Sequence, residues 1–234
     1  MREQLKTTLL ADYRRTGGWA GIIHGTMLLA VPVIEIALGK SVDLQDVASA
    51  ARVPWLFALI YLIPVIQGMS IIGLAWAFEH GMRARIPRGL RRGIFYAGLA
   101  GGSVYALYGF ISVVAWPILG ARYQGNHAAG LAGASAYQSV ASIILDVALT
   151  GYGLWAMFGT WYAQVAGMFG RATNYTGFFY GFAAMFSPYA PILAVAQWLL
   201  GIPWAFATGI GFLRERQQDA APGTETFEIT AEQR

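Results

Sequence analysis

The chain has 234 residues, 56% of them apolar and only 12% charged, about half the charged share of an ordinary soluble domain. With 16 basic and 12 acidic side chains, three histidines and no cysteine, it excludes disulfides, thiolate metal sites, cysteine-ligated iron–sulfur clusters and cysteine nucleophiles. The net charge of +4 is no nucleic-acid signature, because the arginines flank apolar segments and do not line an amphipathic face with aromatics. What remains is an all-α fold, a polytopic bundle of transmembrane helices.

In chain order, residues 1–15 place Leu5, Leu9 and Leu10 among basic side chains, which predicts a short amphipathic helix lying on the inner membrane surface. The apolar run that follows carries no small-x-small cleavage pattern and reads as a retained first span rather than a signal peptide. A crossing needs about 20 apolar residues. Residues 17–39, 54–78, 93–120 and 137–163 each supply that length, with Glu35 and Asp146 as the only formal charges within them. Residues 41–52 suit a small amphipathic helix in the first outer loop, with Val42, Leu44 and Val47 toward the bilayer, and the Gly- and Ala-rich stretch 120–136 reads as a loop.

Residues 172–213 form an uncharged stretch of 42 residues, roughly 63 Å as one helix and about twice the membrane thickness. It must fold back, and Ser187-Pro188-Tyr189-Ala190-Pro191 is where proline disfavours a continuous helix. This gives a short fifth span at 175–186 and a sixth at 192–213; five spans and a re-entrant piece is the alternative. The polar tail 217–234, with Pro222 and Gly223, reads as disordered.

With six spans, one side receives Arg2, Lys6, Arg14, Arg15, Arg83, Arg85, Arg88, Arg91, Arg92, Arg171, Arg214 and Arg216, and the other only Lys40, Arg52 and Arg122. Cationic loops stay in the cytoplasm, so both termini are expected there and the chain in a bacterial inner membrane.

Few residues within the spans carry chemistry. Gly17, Gly21 and Gly25 form a small-residue ridge on span one, and Gly101 and Gly109 a looser one on span three; such ridges let helix backbones approach closely, either within the bundle or against a second subunit. Asp146 lies deep in span four, where an unpaired carboxylate is expensive, and His24 falls at a similar depth in span one. Asp146, His24, Glu35, Gln67 and Gln197 are therefore the candidate ligand-binding residues. For Asp146 the choice is between a polar pocket and a hydrogen-bonded carboxyl that fastens two helices; for Glu35, snorkelling to the interface is favoured. Pro32, Pro64, Pro117, Pro188, Pro191 and Pro203 suggest a bundle opening outward with Asp146 near its floor. The run Arg83, Arg85, Arg88, Arg91 and Arg92 could contact anionic lipid head groups, though setting orientation is enough to account for it. Glu79 and His80 read as interfacial.

No complete phosphate-loop, dinucleotide, zinc-protease or bis-histidine haem pattern is present. The segment Arg15-Thr16-Gly17-Gly18-Trp19-Ala20-Gly21, the arginine-rich second inner loop, and the stretches Gln197-Trp198-Leu199-Leu200-Gly201 and Gly211-Phe212-Leu213-Arg214 resemble a broad bacterial family of about six-span integral membrane proteins of unknown function. The resemblance would cover residues 12–216, implies no catalytic residues, and lowers the odds of an enzyme. The expected function is a non-enzymatic inner-membrane protein that binds a hydrophobic or lipid-like ligand, or an accessory subunit of a membrane complex or a homo-oligomer. The alternatives are a small transporter with an intramembrane acidic site, or a membrane-embedded enzyme using Asp146 as acid or base on a lipophilic substrate. No metal and no cofactor is specified by the residues.

Overall fold

In the computed structural model, residues 2–38 and 46–220 are described, with side chains over 12–34, 36–38 and 46–214. They form seven helices: α1 (Arg2–Leu38), α2 (Val47–Arg52), α3 (Pro54–Gly81), α4 (Arg88–Gly125), α5 (His127–Val165), α6 (Arg171–Phe186) and α7 (Pro191–Ala220). Among the described residues, five segments are long and apolar enough to cross a membrane: Asp12–Leu38, Pro54–Gly81, Arg88–Gly125, His127–Val165 and Pro191–Arg214. At 16 residues, α6 is about 24 Å long, shorter than the ~30 Å hydrocarbon core.

The long helices and α6 close a ring. α1 packs on α3, α3 on α4, α4 on α5, α5 on α6, α6 on α7, and α7 returns to α1. Each neighbouring pair runs antiparallel, as the glycine contacts show. Gly17 lies against Phe212 and Gly25 against Phe206, so the start of the first crossing and the end of the last sit at the same end of the ring. That end collects Arg14, Arg15, Arg83, Arg85, Arg88, Arg91, Arg92, Arg171 and Arg214, whereas Arg52 and Arg122 occupy the opposite end.

Glycine makes the close approaches possible. A Cβ at Gly21 would stand 2.7 Å from the Gly209 Cα and 2.8 Å from the Ala205 carbonyl oxygen, and one at Gly109 would stand 2.7 Å from the Val65 nitrogen. At both sites backbone meets backbone, the packing expected where lipid is as apolar as leucine. The ridges on α1 and α4 are thus occupied inside the chain: Gly17, Gly21 and Gly25 face α7, with Gly17 also on Ala77 of α3, while Gly101 faces Tyr152 on α5 and Gly109 faces α3. α5 ends in a Schellman turn in which Gly167 takes φ +66, the Met168 amide donates to the Ala163 carbonyl and the Gly167 amide to the Gln164 carbonyl. Glycine is the residue that tolerates this left-handed position.

Four features differ from the sequence reading. α1 is continuous from Arg2, so residues 2–15 extend the first crossing helix instead of forming a separate one; their side chains before Asp12 lie outside the described residues. The stretch 120–136 is helical except at Asn126, whose side chain caps α5 by accepting from the Ala129 amide; alanine is the strongest helix former, and one capping asparagine is the only interruption. α4 and α5 therefore form a hairpin of 38 and 39 residues, about 57 and 58 Å long, that outreaches any bilayer. Val47 is turned away from lipid: it is buried with Ala50, Phe57, Trp116 and Ala134 in a small core where α2 packs on the hairpin, and Gln124 donates to the Ala51 carbonyl there. Val42 and Leu44 lie outside the described residues, and so does the tail from residue 221 onward; residues 217–220 are helical.

Candidate functional site

Within the ring, spacing on each helix carries one or two polar side chains to the axis. On α1, His24 follows Gly17 and Gly21 on the same stripe, so the glycine contacts that bring α1 close to α7 and α3 also bury the imidazole, which is 2% exposed. On α3, Gln67, Ser70, Ile71, Leu74 and Phe78 share the buried face at helical intervals. Tyr105 of α4, Tyr152 of α5, Tyr180 of α6 and Gln197 of α7 meet them there.

These side chains form two hydrogen-bonded runs that meet at the packed rings of Tyr152 and Tyr180. Gln197 Nε2 donates to the Tyr152 hydroxyl, and the Tyr152 ring packs on the Tyr180 ring at a centroid distance of 6.1 Å. The Tyr180 hydroxyl and His24 Nε2 are 2.8 Å apart, His24 Nδ1 and Ser70 Oγ are 3.0 Å apart, and Ser70 Oγ donates to the Gln67 carbonyl at 2.7 Å. Because the serine proton is committed to that carbonyl, Nδ1–H of a neutral imidazole donates to Ser70 and Nε2 accepts from Tyr180; the tautomer follows from the partners. Tyr105 completes the set by donating to Gln67 Oε1 at 3.0 Å. All six ring helices contribute, no member is charged, and each bond gives a buried polar group the partner it needs. A satisfied network of this kind rigidifies and specifies a core.

The structure thus brings together His24, Gln67 and Gln197 of the candidate residues and leaves Asp146 apart. Asp146 is half-buried on α5 and makes no hydrogen bond or ion pair with a described residue. It lies two turns before Gly153, on the same stripe, and Gly153 already packs on Gly181 and Met185 in the last turns of α6. Because α5 and α6 are antiparallel, Asp146 sits past the C-terminal end of α6. The side chain of Glu35 lies outside the described residues. Among the described residues no group of three or more histidine, aspartate and glutamate side chains is placed to hold a metal ion.

The tyrosines are the members that sequence reading missed. Tyr105, Tyr152 and Tyr180 were indistinguishable from ring-packing aromatics, and the usable signal was their position three or four residues from small residues on the faces of α4, α5 and α6. Glu79 was missed in another way. It is buried at the arginine-rich end, where Arg91 Nη1 donates to Oε1 at 2.6 Å and Arg83 Nη2 to Oε2 at 3.2 Å, with His80 beside it at 3.0 Å. His80 is held between the Tyr13 ring and the Trp76 ring. Of the five arginines proposed to meet lipid head groups, Arg83 and Arg91 are therefore engaged by Glu79, and Arg85 donates to the Ala166 carbonyl at 2.7 Å, closing the end of α5. Arg88 and Arg92 are exposed on the first turns of α4.

Three grooves lie at the periphery among the described residues. A groove of about 440 Å³ runs between α4 and α5, lined by Gly89, Leu90, Gly93, Ile94, Ala97, Leu154, Trp155, Phe158 and Tyr162. A second of about 490 Å³ lies between α1 and α3, with Trp19, Ile23, Ile66 and Met69 on its walls, Ser70 at its floor and Arg15 at its rim. A third, of about 620 Å³, sits at the arginine-rich end between the α5–α6 connection and α7. No family model, curated protein or solved structure matches the chain.

Proposed function

We propose that this chain is a non-enzymatic integral protein of the bacterial cytoplasmic membrane that binds a lipid-like ligand on its bilayer-facing wall. The observation that carries this reading is the division of polarity and space. His24, Ser70, Gln67 and Gln197 at the axis are each bonded to a neighbouring side chain, and the clefts between α4 and α5 and between α1 and α3 are walled mostly by apolar and aromatic groups, as hydrophobic-ligand sites are. A transporter would need polar groups free to meet its cargo; here His24, Gln67 and Gln197 are committed within the network.

In the same reading the chain crosses six times with both termini in the cytoplasm. α6 is short, but it holds a full place in the ring, antiparallel to both neighbours, and the collection of arginines at one end suits the cytoplasmic face. Arg88 and Arg92, next in sequence to Gly89, Leu90 and Gly93 of the α4–α5 groove, are the cations available to a phosphate.

Native mass spectrometry of protein released gently from membranes tests the reading. Lipid that survives delipidation conditions sufficient to strip a control membrane protein of similar size supports it. A bare polypeptide under those conditions overturns it.

A further inference from the structure

The groove between α1 and α3 joins a charged mouth to an apolar trough. Gly73 of α3 and Ala20 of α1 form its floor: a Cβ at Gly73 would stand 3.1 Å from the Ala20 Cβ. Small residues on this seam let the two backbones close up, and the larger side chains Trp19, Ile23, Ile66 and Met69 stand exposed as the walls. Along α1 the groove runs from Arg15 to Ile23, and along antiparallel α3 from Gly73 to Val65, about 12 Å in each case. Arg15 and Thr16 lie at one mouth, and beyond them Ser70 is the one polar residue in the wall.

Depth decides which mouth meets the head groups. Arg15 belongs to the arginine-rich end of the ring, and Trp19, one turn further along α1, is 54% exposed. An exposed tryptophan at that level suits the boundary between head groups and hydrocarbon, so the trough lays its apolar length down among the acyl chains. Charge then selects the head group. Arg15 is exposed and makes no hydrogen bond or ion pair with a described residue, Asp12 one turn earlier included. At this end nine described arginines face two described carboxylates, Asp12 and Glu79, and Glu79 is already bonded to Arg83 and Arg91. A head-group ammonium would meet like charge there, whereas a head group whose only charge is its phosphate would be attracted. The α4–α5 groove differs, because Arg88 and Arg92 stand beside it and its wall holds no charged residue.

We propose that the α1–α3 groove is a site for an anionic glycerophospholipid of the cytoplasmic leaflet, with Arg15 on its phosphate and one acyl chain along Trp19, Ile23, Ile66 and Met69. A phospholipid presents the same order of parts as the groove, a charge at one end and hydrocarbon below it. The assignment deepens the lipid-binding reading above and rests on it.

The test is photo-crosslinking of the full chain in phosphatidylcholine nanodiscs. One preparation is doped with phosphatidylglycerol bearing a diazirine within one acyl chain, the other with phosphatidylethanolamine bearing the same chain, and labelled residues are located by peptide mass spectrometry. Phe179 of α6 supplies the reference for ordinary bilayer contact: it is exposed and lies eight residues past Arg171, as Ile23 lies eight past Arg15. Relative to Phe179, phosphatidylglycerol should label Ile23, Ile66 and Met69 about fivefold more than phosphatidylethanolamine does, the worth of one arginine beside an anionic lipid. Arg15→Gln should bring the two lipids to about the same level, and Arg15→Lys, which keeps the charge, should hold most of the preference. Because Arg15 is exposed, neither variant disturbs the packing. Equal labelling by both lipids in the unaltered chain, or a preference that survives Arg15→Gln, overturns the proposal. If lipid is still retained in native mass spectrometry, only the head-group assignment has failed; if none is retained, the broader reading has failed with it.

Discussion

The seam between α1 and α7 gives the sharpest quantitative prediction. At Gly21 an added methyl would stand 2.7 Å from Gly209 Cα and N and 2.8 Å from the Ala205 oxygen, against 3.4 Å or more for ordinary contact, so the helices must part by about 0.7 Å. The atoms in the way are backbone and cannot swing aside. Overpacking of this kind costs about 1–3 kcal/mol, or roughly 2–12 °C in midpoint for a chain this size. Gly25→Ala meets only the Phe206 ring at 3.0 Å, a side chain that can yield, and should cost less. Gly93→Ala meets nothing within 4 Å and should be neutral or stabilising by up to about 1 kcal/mol through helix propensity. Thermal unfolding in one mild detergent, followed by intrinsic tryptophan fluorescence with Trp116, Trp155 and Trp204 buried as reporters, should rank Gly21→Ala lowest, then Gly25→Ala, then the unaltered chain, with Gly93→Ala equal or higher. Equal midpoints for Gly21→Ala and Gly93→Ala would refute the close α1–α7 contact.

Three further outcomes follow. Tyr180→Phe leaves His24 Nε2 buried without its donor, and His24→Phe takes away the acceptor of Tyr180 and the donor to Ser70, which keeps its bond to the Gln67 carbonyl; each should destabilise by about 1–3 kcal/mol, with a double-variant loss well below the sum, since the residues share one bond; strict additivity would place them in separate environments. Glu79→Gln removes the charge that Arg91 and Arg83 meet, and because Glu79 and Arg91 are almost wholly buried it should cost about 3–5 kcal/mol, with Glu79→Leu combined with Arg91→Met recovering much of it; a loss unchanged by the second substitution argues against the pair. Asp146→Asn should shift stability by less than about 0.5 kcal/mol and leave lipid retention unchanged, since no described residue bonds to it; a collapse of either would restore Asp146 to the functional centre.

How much of this was legible in the sequence depends on which force set each feature. Span length and the arginine asymmetry are set by the bilayer, which acts on composition alone, so the long helices and the polarity of the ring could be read directly. The depth of His24, Gln67 and Gln197 could also be counted, because rise per residue is fixed. Rotation about each helix axis could not be counted, and rotation turns Asp146 away from the axis while bringing Tyr152, six residues later, onto it. Glu79 was hidden because its partner Arg91 is twelve residues away across the α3–α4 turn. The helix through 120–136 was hidden by glycine, whose local cost is outweighed by the packing of α2 and α3 on the hairpin, with Gly120 and Gly130 at close backbone contacts.

In the proposed reading a neutral, mutually bonded network closes the ring axis and the ligand meets the outer wall. Because the chain has no cysteine, single substitutions Gln197→Cys and Gln67→Cys can be probed without background in sealed vesicles of both orientations, with Asn126→Cys at the hairpin tip as the reactive control. The account predicts that a membrane-impermeant maleimide modifies the tip from one side only and modifies positions 67 and 197 from neither until the protein is unfolded. Rapid modification of position 197 in the folded protein would mean that water reaches the axis, and a polar pathway would then replace the sealed core described here.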